Sequence, residues 1–80
     1  MRIDKFLKNS RLIKRRTVAK EACEQGRVKV NDKPAKPGTE VVQGDIIVIE
    51  FGSRTVKVEV LDLKEHVTKD DAKEMYKNID

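Results

Sequence analysis

Eighty residues with a mass of 9.2 kDa give this chain room for one small domain, and a chain of that length buries only about 60% of its unfolded surface. Charged residues make up 40%, apolar residues 38% and aromatics 4%; the size argues against a catalytic cleft between two lobes, and the clustering of the apolar residues argues against disorder. The net charge of +4 divides unevenly: residues 1–36 hold twelve basic and four acidic side chains, a net +8, whereas residues 37–80 hold six and ten, a net −4, so a polyanion is the natural complement of the amino-terminal half.

The first element in chain order is a short helix from Ile3 to Lys8, with Ile3, Phe6 and Leu7 on one face and Asp4 in its first turn. Asn9-Ser10 interrupts it, and Leu12-Ile13 supplies an apolar anchor. Thr17 is placed to cap a second helix from Val18 to Gln25, in which Val18, Ala19, Ala22 and Cys23 form a narrow buried stripe. Gly26 ends that helix. The period then changes to two. Arg27-Val28-Lys29-Val30 reads as a half-buried strand, Asn31-Asp32 as a tight turn, and Lys33-Pro34-Ala35 as an edge segment, because proline cannot donate to a ladder. Pro37-Gly38 and Gly44-Asp45 mark further turns around Val41-Val42. Ile46 to Phe51 and Thr55 to Leu63 form two more strands joined at Gly52-Ser53. Thr68 opens a C-terminal helix with Asp70 and Asp71 in its first turn and an apolar face of Ala72, Met75, Tyr76 and Ile79. The expected fold is α+β: two N-terminal helices packed on a small, mostly antiparallel sheet, with a short C-terminal helix. Residues 1–64 are expected to form the main domain, and residues 65–80 a helical extension.

Catalytic chemistry is hard to assemble from these residues. His66 is the one histidine and lies in a polar loop, Cys23 sits on an apolar helix stripe, and Asp70-Asp71 point in different directions on a helix. No G-x-x-x-x-G-K spacing provides a phosphate-cradling loop. One Cys and one His cannot complete a four-ligand zinc site, and a lone cysteine fits a reducing compartment. With no apolar run near 20 residues and no signal-like start, the expectation is a cytoplasmic monomer without cofactor, metal or membrane contact, and not an enzyme.

The informative stretch is Arg11-Leu12-Ile13-Lys14-Arg15-Arg16. Its two apolar residues point inward and force the flanking charges outward. Arg16 and Lys20 share a helix face at i and i+4, and Arg2 and Lys5 from the first helix join them across the interhelical groove. Guanidinium forks bind phosphate oxygens bidentately, and lysines act as mobile point charges. With Phe6 and Phe51 expected to be buried and Tyr76 remote, stacking on splayed bases is disfavoured relative to recognition of a structured backbone.

Arg2-Ile3-Asp4-Lys5-Phe6-Leu7, Ser10 to Arg16, Ala19 to Val28, Val30-Asn31 and the V-x-x-G-D turn at Val42 to Asp45 together resemble the RNA-binding domain named after small-subunit ribosomal protein S-four, over roughly the first fifty residues. That resemblance implies two helices on a small sheet, with the helical face binding structured RNA. The short stand-alone form is similar to the RqcP type of ribosome quality-control factor and to the related fifteen-kilodalton ribosome-associated heat-shock protein. It implies binding to a large ribosomal subunit that carries a stalled peptidyl-tRNA, contact with ribosomal RNA helix sixty-nine and with the tRNA, and action beside an RqcH-type tRNA-recruiting partner that adds alanine tails. The RNA-facing residues it implies are Arg2, Arg11, Arg15, Arg16 and Lys20, and the charge pattern adds Lys5 and Lys14. Asp4 matches an acidic position of the family. A helix-terminus charge paired with a neighbouring Arg or Lys accounts for it equally well. The heat-shock relative carries a longer basic extension, whereas residues after Lys64 here are mostly acidic, which favours the RqcP type over added RNA contacts by the tail. Two other readings are an accessory module of a tRNA- or rRNA-modifying enzyme and an adaptor for an acidic protein.

Overall fold

A computed structural model describes residues 1–79. Helix α1 (Ile3–Asn9) and helix α2 (Arg16–Glu24) pack on a five-stranded sheet, and all of its pairings are antiparallel. The strands are β1 (Val28–Val30), β2 (Lys33–Pro34), β3 (Ile46–Phe51), β4 (Arg54–Val60) and β5 (Tyr76–Asn78), in the spatial order β2-β1-β3-β4-β5, and a one-turn helix α3 (Lys69–Ala72) precedes β5. Ile3, Phe6 and Leu7 bury the predicted face of α1. Alternation along β1, β3 and β4 sends Val28, Val30, Ile47, Ile49, Val58 and Val60 into the same core.

The turns follow from their residues. Gly26 has φ of +75°, which closes α2, and its neighbour Arg27 donates its N–H back to the Ala22 carbonyl. Asn31 and Asp32 both adopt positive φ, +51° and +68°, as a two-residue loop between twisted strands requires. Pro34 lies on the edge strand, where its missing N–H costs nothing.

Four expectations are corrected. Helix α2 starts at Arg16, with Arg15 in an extended cap conformation and no side-chain cap, so Thr17 lies inside the first turn instead of before it. Val18 is 45% exposed and leaves the buried stripe to Ala19, Ala22 and Cys23. Phe51 is half-buried on the sheet, with the Arg54 guanidinium 5.9 Å above its ring. The largest change concerns residues 65–80, expected to be a helix: only Lys69–Ala72 is helical, and Tyr76–Asn78 runs as a strand along β4, pairing Val60 with Tyr76 and Val58 with Asn78. Asp80, the last residue of that expected helix, lies outside the described residues.

The physical reason for this change is that a periodic pattern of about two turns is marginal on its own as a helix, whereas the outer edge of β4 offers backbone groups that need partners. Thr68 does cap the short helix, its Oγ1 accepting from the Asp71 N–H at 3.2 Å. Beyond Ala72 the fully buried Met75 anchors the turn, and its carbonyl accepts from the N–H groups of Leu61 and Asp62.

Candidate nucleic-acid interface

The amino-terminal strand-like residues fix the first part of the surface. The Ile3 N–H donates to the Thr39 carbonyl at 2.7 Å, the Val41 N–H to the Met1 carbonyl at 2.9 Å, and Arg2 forms an isolated bridge with Glu40. Arg2 is thereby held immediately before α1, beside the Pro37-Gly38 turn.

Asp4 is 2% exposed yet fully partnered. Its Oδ2 accepts from Arg2 Nη2 at 3.2 Å, and its Oδ1 accepts from Arg16 Nη2 at 3.4 Å and from the Lys5 N–H at 2.8 Å. One carboxylate therefore bridges arginines from the start of α1 and the start of α2. Each guanidinium still has about half of its side-chain surface in solvent, so donors remain for an external anion. Two arginines around one acid leave an excess positive charge. Arg15 and Lys20 are exposed on the same helix segment, and Lys20 follows Arg16 by one turn.

The start of α2 adds to this field. It has no side-chain cap and no acid in its first turn, although the unpaired N–H groups and the helix dipole there favour negative charge. Arginines occupy that end instead, and the acid that meets Arg16 there is Asp4 of α1.

The other expected residues lie elsewhere. Lys5 is paired with Glu65 of the C-terminal segment, and this pairing lowers the Glu65 pKa. Arg11 and Lys14 do not join the Arg2–Asp4–Arg16 cluster in any ion pair. They line two adjoining clefts, one with Lys8, Asn9, Glu65, His66 and Val67, the other with Ser10, Lys69, Ala72, Lys73 and Tyr76. His66 is exposed, as a loop histidine was expected to be. Tyr76, expected to be remote from the basic stretch, is thus a neighbour of Arg11 and Lys14. The sequence did carry a signal for this arrangement. Lys8, Arg11 and Lys14 recur every three residues, and Lys69 and Lys73 stand at i and i+4. The fold that joins the two sets is a contact across more than fifty residues: Asn9 Nδ2 donates to the carbonyls of Lys64 and Glu65 at 3.0 and 3.3 Å.

Cys23 is not an activated nucleophile. The Cys23 thiol is buried, and desolvation with the nearby Asp4 and Glu24 charges raises its pKa to about 11. Among the described residues no group of His, Cys, Asp and Glu side chains is placed to hold a metal ion, and no helix is long and apolar enough to cross a membrane.

A model of the S4 domain matches residues 1–47. A protein named RQC P-site tRNA stabilizing factor from Halalkalibacterium halodurans is 59% identical over 76 residues, which cover 95% of this chain and 86% of that protein. The chain belongs to the S4-domain family of RQC P-site tRNA stabilizing factors. A protein of the same name from Listeria innocua is 57% identical over 95% of this chain and 83% of its own length. Among solved structures, the trimeric structure of Vibrio cholerae Heat Shock Protein 15 superposes with a TM-score of 0.91 at 26% identity, covering 99% of this chain and 81% of that one.

Several residues of the S4-domain pattern have a structural duty in this chain. Asp45 Oδ2 accepts from the Val42 N–H at 2.9 Å, which closes the V-x-x-G-D turn, and Gly44 between them has φ of +94°. Asp45 Oδ1 accepts from Asn31 Nδ2 at 3.0 Å, and Asn31 Oδ1 accepts from the Ile46 N–H at 2.9 Å. The two S4-domain turns are therefore locked to one another. Arg2 and Arg16 differ from these residues, since their contacts leave donors free.

Proposed function

We propose that this chain is a non-enzymatic RNA-binding factor of ribosome quality control. It binds the large ribosomal subunit carrying a stalled peptidyl-tRNA, touches rRNA and tRNA, and supports alanine tailing by an RqcH-type tRNA-recruiting partner. The observation that carries the reading is the Arg2–Asp4–Arg16 bridge, in which one buried carboxylate holds two half-exposed guanidiniums in a fixed relation. Preorganised forks of this kind suit phosphate oxygens on a folded backbone and lose little side-chain entropy on binding. Arg15 and Lys20 extend that field along α2, and Lys5, Arg11 and Lys14 complete the set of proposed RNA-binding residues. The names of the relatives, stabilizing factors for P-site tRNA, support the same reading.

The test is co-sedimentation with large subunits. Arg16→Ala is expected to weaken association about tenfold or more without unfolding the domain, because Asp4 keeps Arg2 and the Lys5 N–H as partners. Undiminished co-sedimentation of a folded Arg16→Ala protein would overturn the site. A second reading, recycling of large subunits blocked by nascent-chain tRNA, draws on the likeness to Heat Shock Protein 15. Alanine tails that vanish on deletion of the gene and return on complementation favour the first reading. Tails that persist favour the second.

A further inference from the structure

The C-terminal segment is acidic in composition; three of its acids are held in ion pairs, and Asp70 and Asp71 of α3 are in none among the described residues. Glu65 pairs with Lys5, and Asp62 and Glu74 both pair with Lys64. Lys69 and Lys73 of the same segment have no ion pair among the described residues, and the same holds for Lys8, Arg11 and Lys14. The fold brings Lys69, Lys73, Arg11 and Lys14 around the half-buried ring of Tyr76, in an open cleft of about 580 Å³. A second cleft of about 360 Å³ shares Arg11 and Lys14 and continues to Lys8, with Glu65, the partner of Lys5, on its wall.

We propose that Arg11, Lys14, Lys69 and Lys73, with Tyr76 between them, form a second phosphate-binding groove that takes the backbone of an RNA strand, separate from the Arg2–Asp4–Arg16 site. The proposal rests on the RNA-binding reading above. Unneutralised cations on two converging segments attract a polyanion, and a groove that continues through both clefts fits several linked phosphates better than one. Tyr76 supplies a ring against which a ribose or base can lie. The tail contributes RNA contacts by this route because Lys69 and Lys73 line the cleft, whereas Asp70 and Asp71 do not.

Tyr76 is the one tyrosine of the chain, so biosynthetic incorporation of 3-fluorotyrosine gives the full-length protein a single fluorine resonance inside the groove. Titration with deacylated tRNA is expected to shift or broaden that resonance at saturation. Lys69→Ala/Lys73→Ala is expected to weaken tRNA binding about tenfold and to reduce the slope of log affinity against log salt by about 2. Both lysines are exposed, and circular dichroism checks that the variant remains folded. An unmoved resonance at saturating tRNA, with unchanged affinity and slope in the lysine variant, overturns the groove. If Arg2→Ala/Arg16→Ala still abolishes binding in that case, the first site stands without it. No tRNA or large-subunit binding by the wild-type chain overturns both. Equal shifts with inorganic phosphate at matched phosphate concentration reduce the groove to a single-anion site and overturn the strand. A shift with poly-glutamate and none with tRNA overturns it in favour of an acidic polypeptide.

Discussion

Asp4 is enclosed by its neighbours, yet both of its oxygens are occupied, and their partners come from two different helices. Removing the negative charge leaves two guanidiniums facing each other with a weaker acceptor between them. Asp4→Asn is therefore expected to lower stability by about 1–2 kcal/mol, less than a fully buried charge pair because both arginines are half in solvent. A denaturation midpoint unchanged from wild type would show that the bridge holds nothing together. The position of Asp4 at a helix start was legible in the sequence, as was a basic partner. That it had two partners was not, because the second contact depends on the angle at which α2 meets α1. Cys23 offers a second residue-scale test. Its folded-state pKa is raised from the usual 9.0 to about 11, so the folded form retains its proton after the unfolded form has lost it. Its contribution to stability is complete below pH about 9 and is lost as the pH rises towards about 11. At pH 8 the native thiol is expected to resist alkylation until denaturant is added; rapid labelling of the folded protein would contradict this.

Among the elements, α1, β1, β3 and β4 were legible because each carries a clean period of its own. Ile3, Phe6 and Leu7 repeat at helical spacing, and Val56, Val58 and Val60 alternate. The C-terminal segment was not legible in the same way. Ala72, Met75 and Tyr76 satisfy a helical spacing, but Met75 is buried at a turn and Tyr76 enters a ladder with Val60. Local spacing is a weak determinant where a distant strand offers an unpaired edge. This segment is a structural part of the sheet and not an appendage, so its core residue should matter to the whole fold. Met75→Ala is expected to cost about 2–4 kcal/mol in global stability, measured by denaturant unfolding, as other truncations of large core side chains do. A loss below about 0.5 kcal/mol would mean that the tail docks without supporting the core. The start of α2 was misplaced by two residues for a related reason: Thr17 resembles a cap, but Arg15 takes the cap conformation without using its side chain.

For the molecule as a whole, the uneven division of charge between the two halves was plain from residue counts, but its distribution over the surface was not. The acidic half does not form one acidic face, because Glu65, Glu74 and Glu40 are drawn into pairs with Lys5, Lys64 and the N-terminal ammonium. With about five basic side chains on phosphates, log affinity for tRNA is expected to fall against log salt with a slope on the order of −4. A slope near zero would mean that contacts other than phosphate neutralisation carry the binding.

Arg11 has φ of +62°, a left-handed backbone that glycine adopts freely and other residues adopt at a cost of about 1 kcal/mol. A glycine at this corner would relieve that strain and leave a blank spot on the surface. The chain thus bears a small backbone strain and carries a guanidinium where its two clefts meet; under the proposed function, raising the melting point by relaxing that corner would cost a phosphate contact.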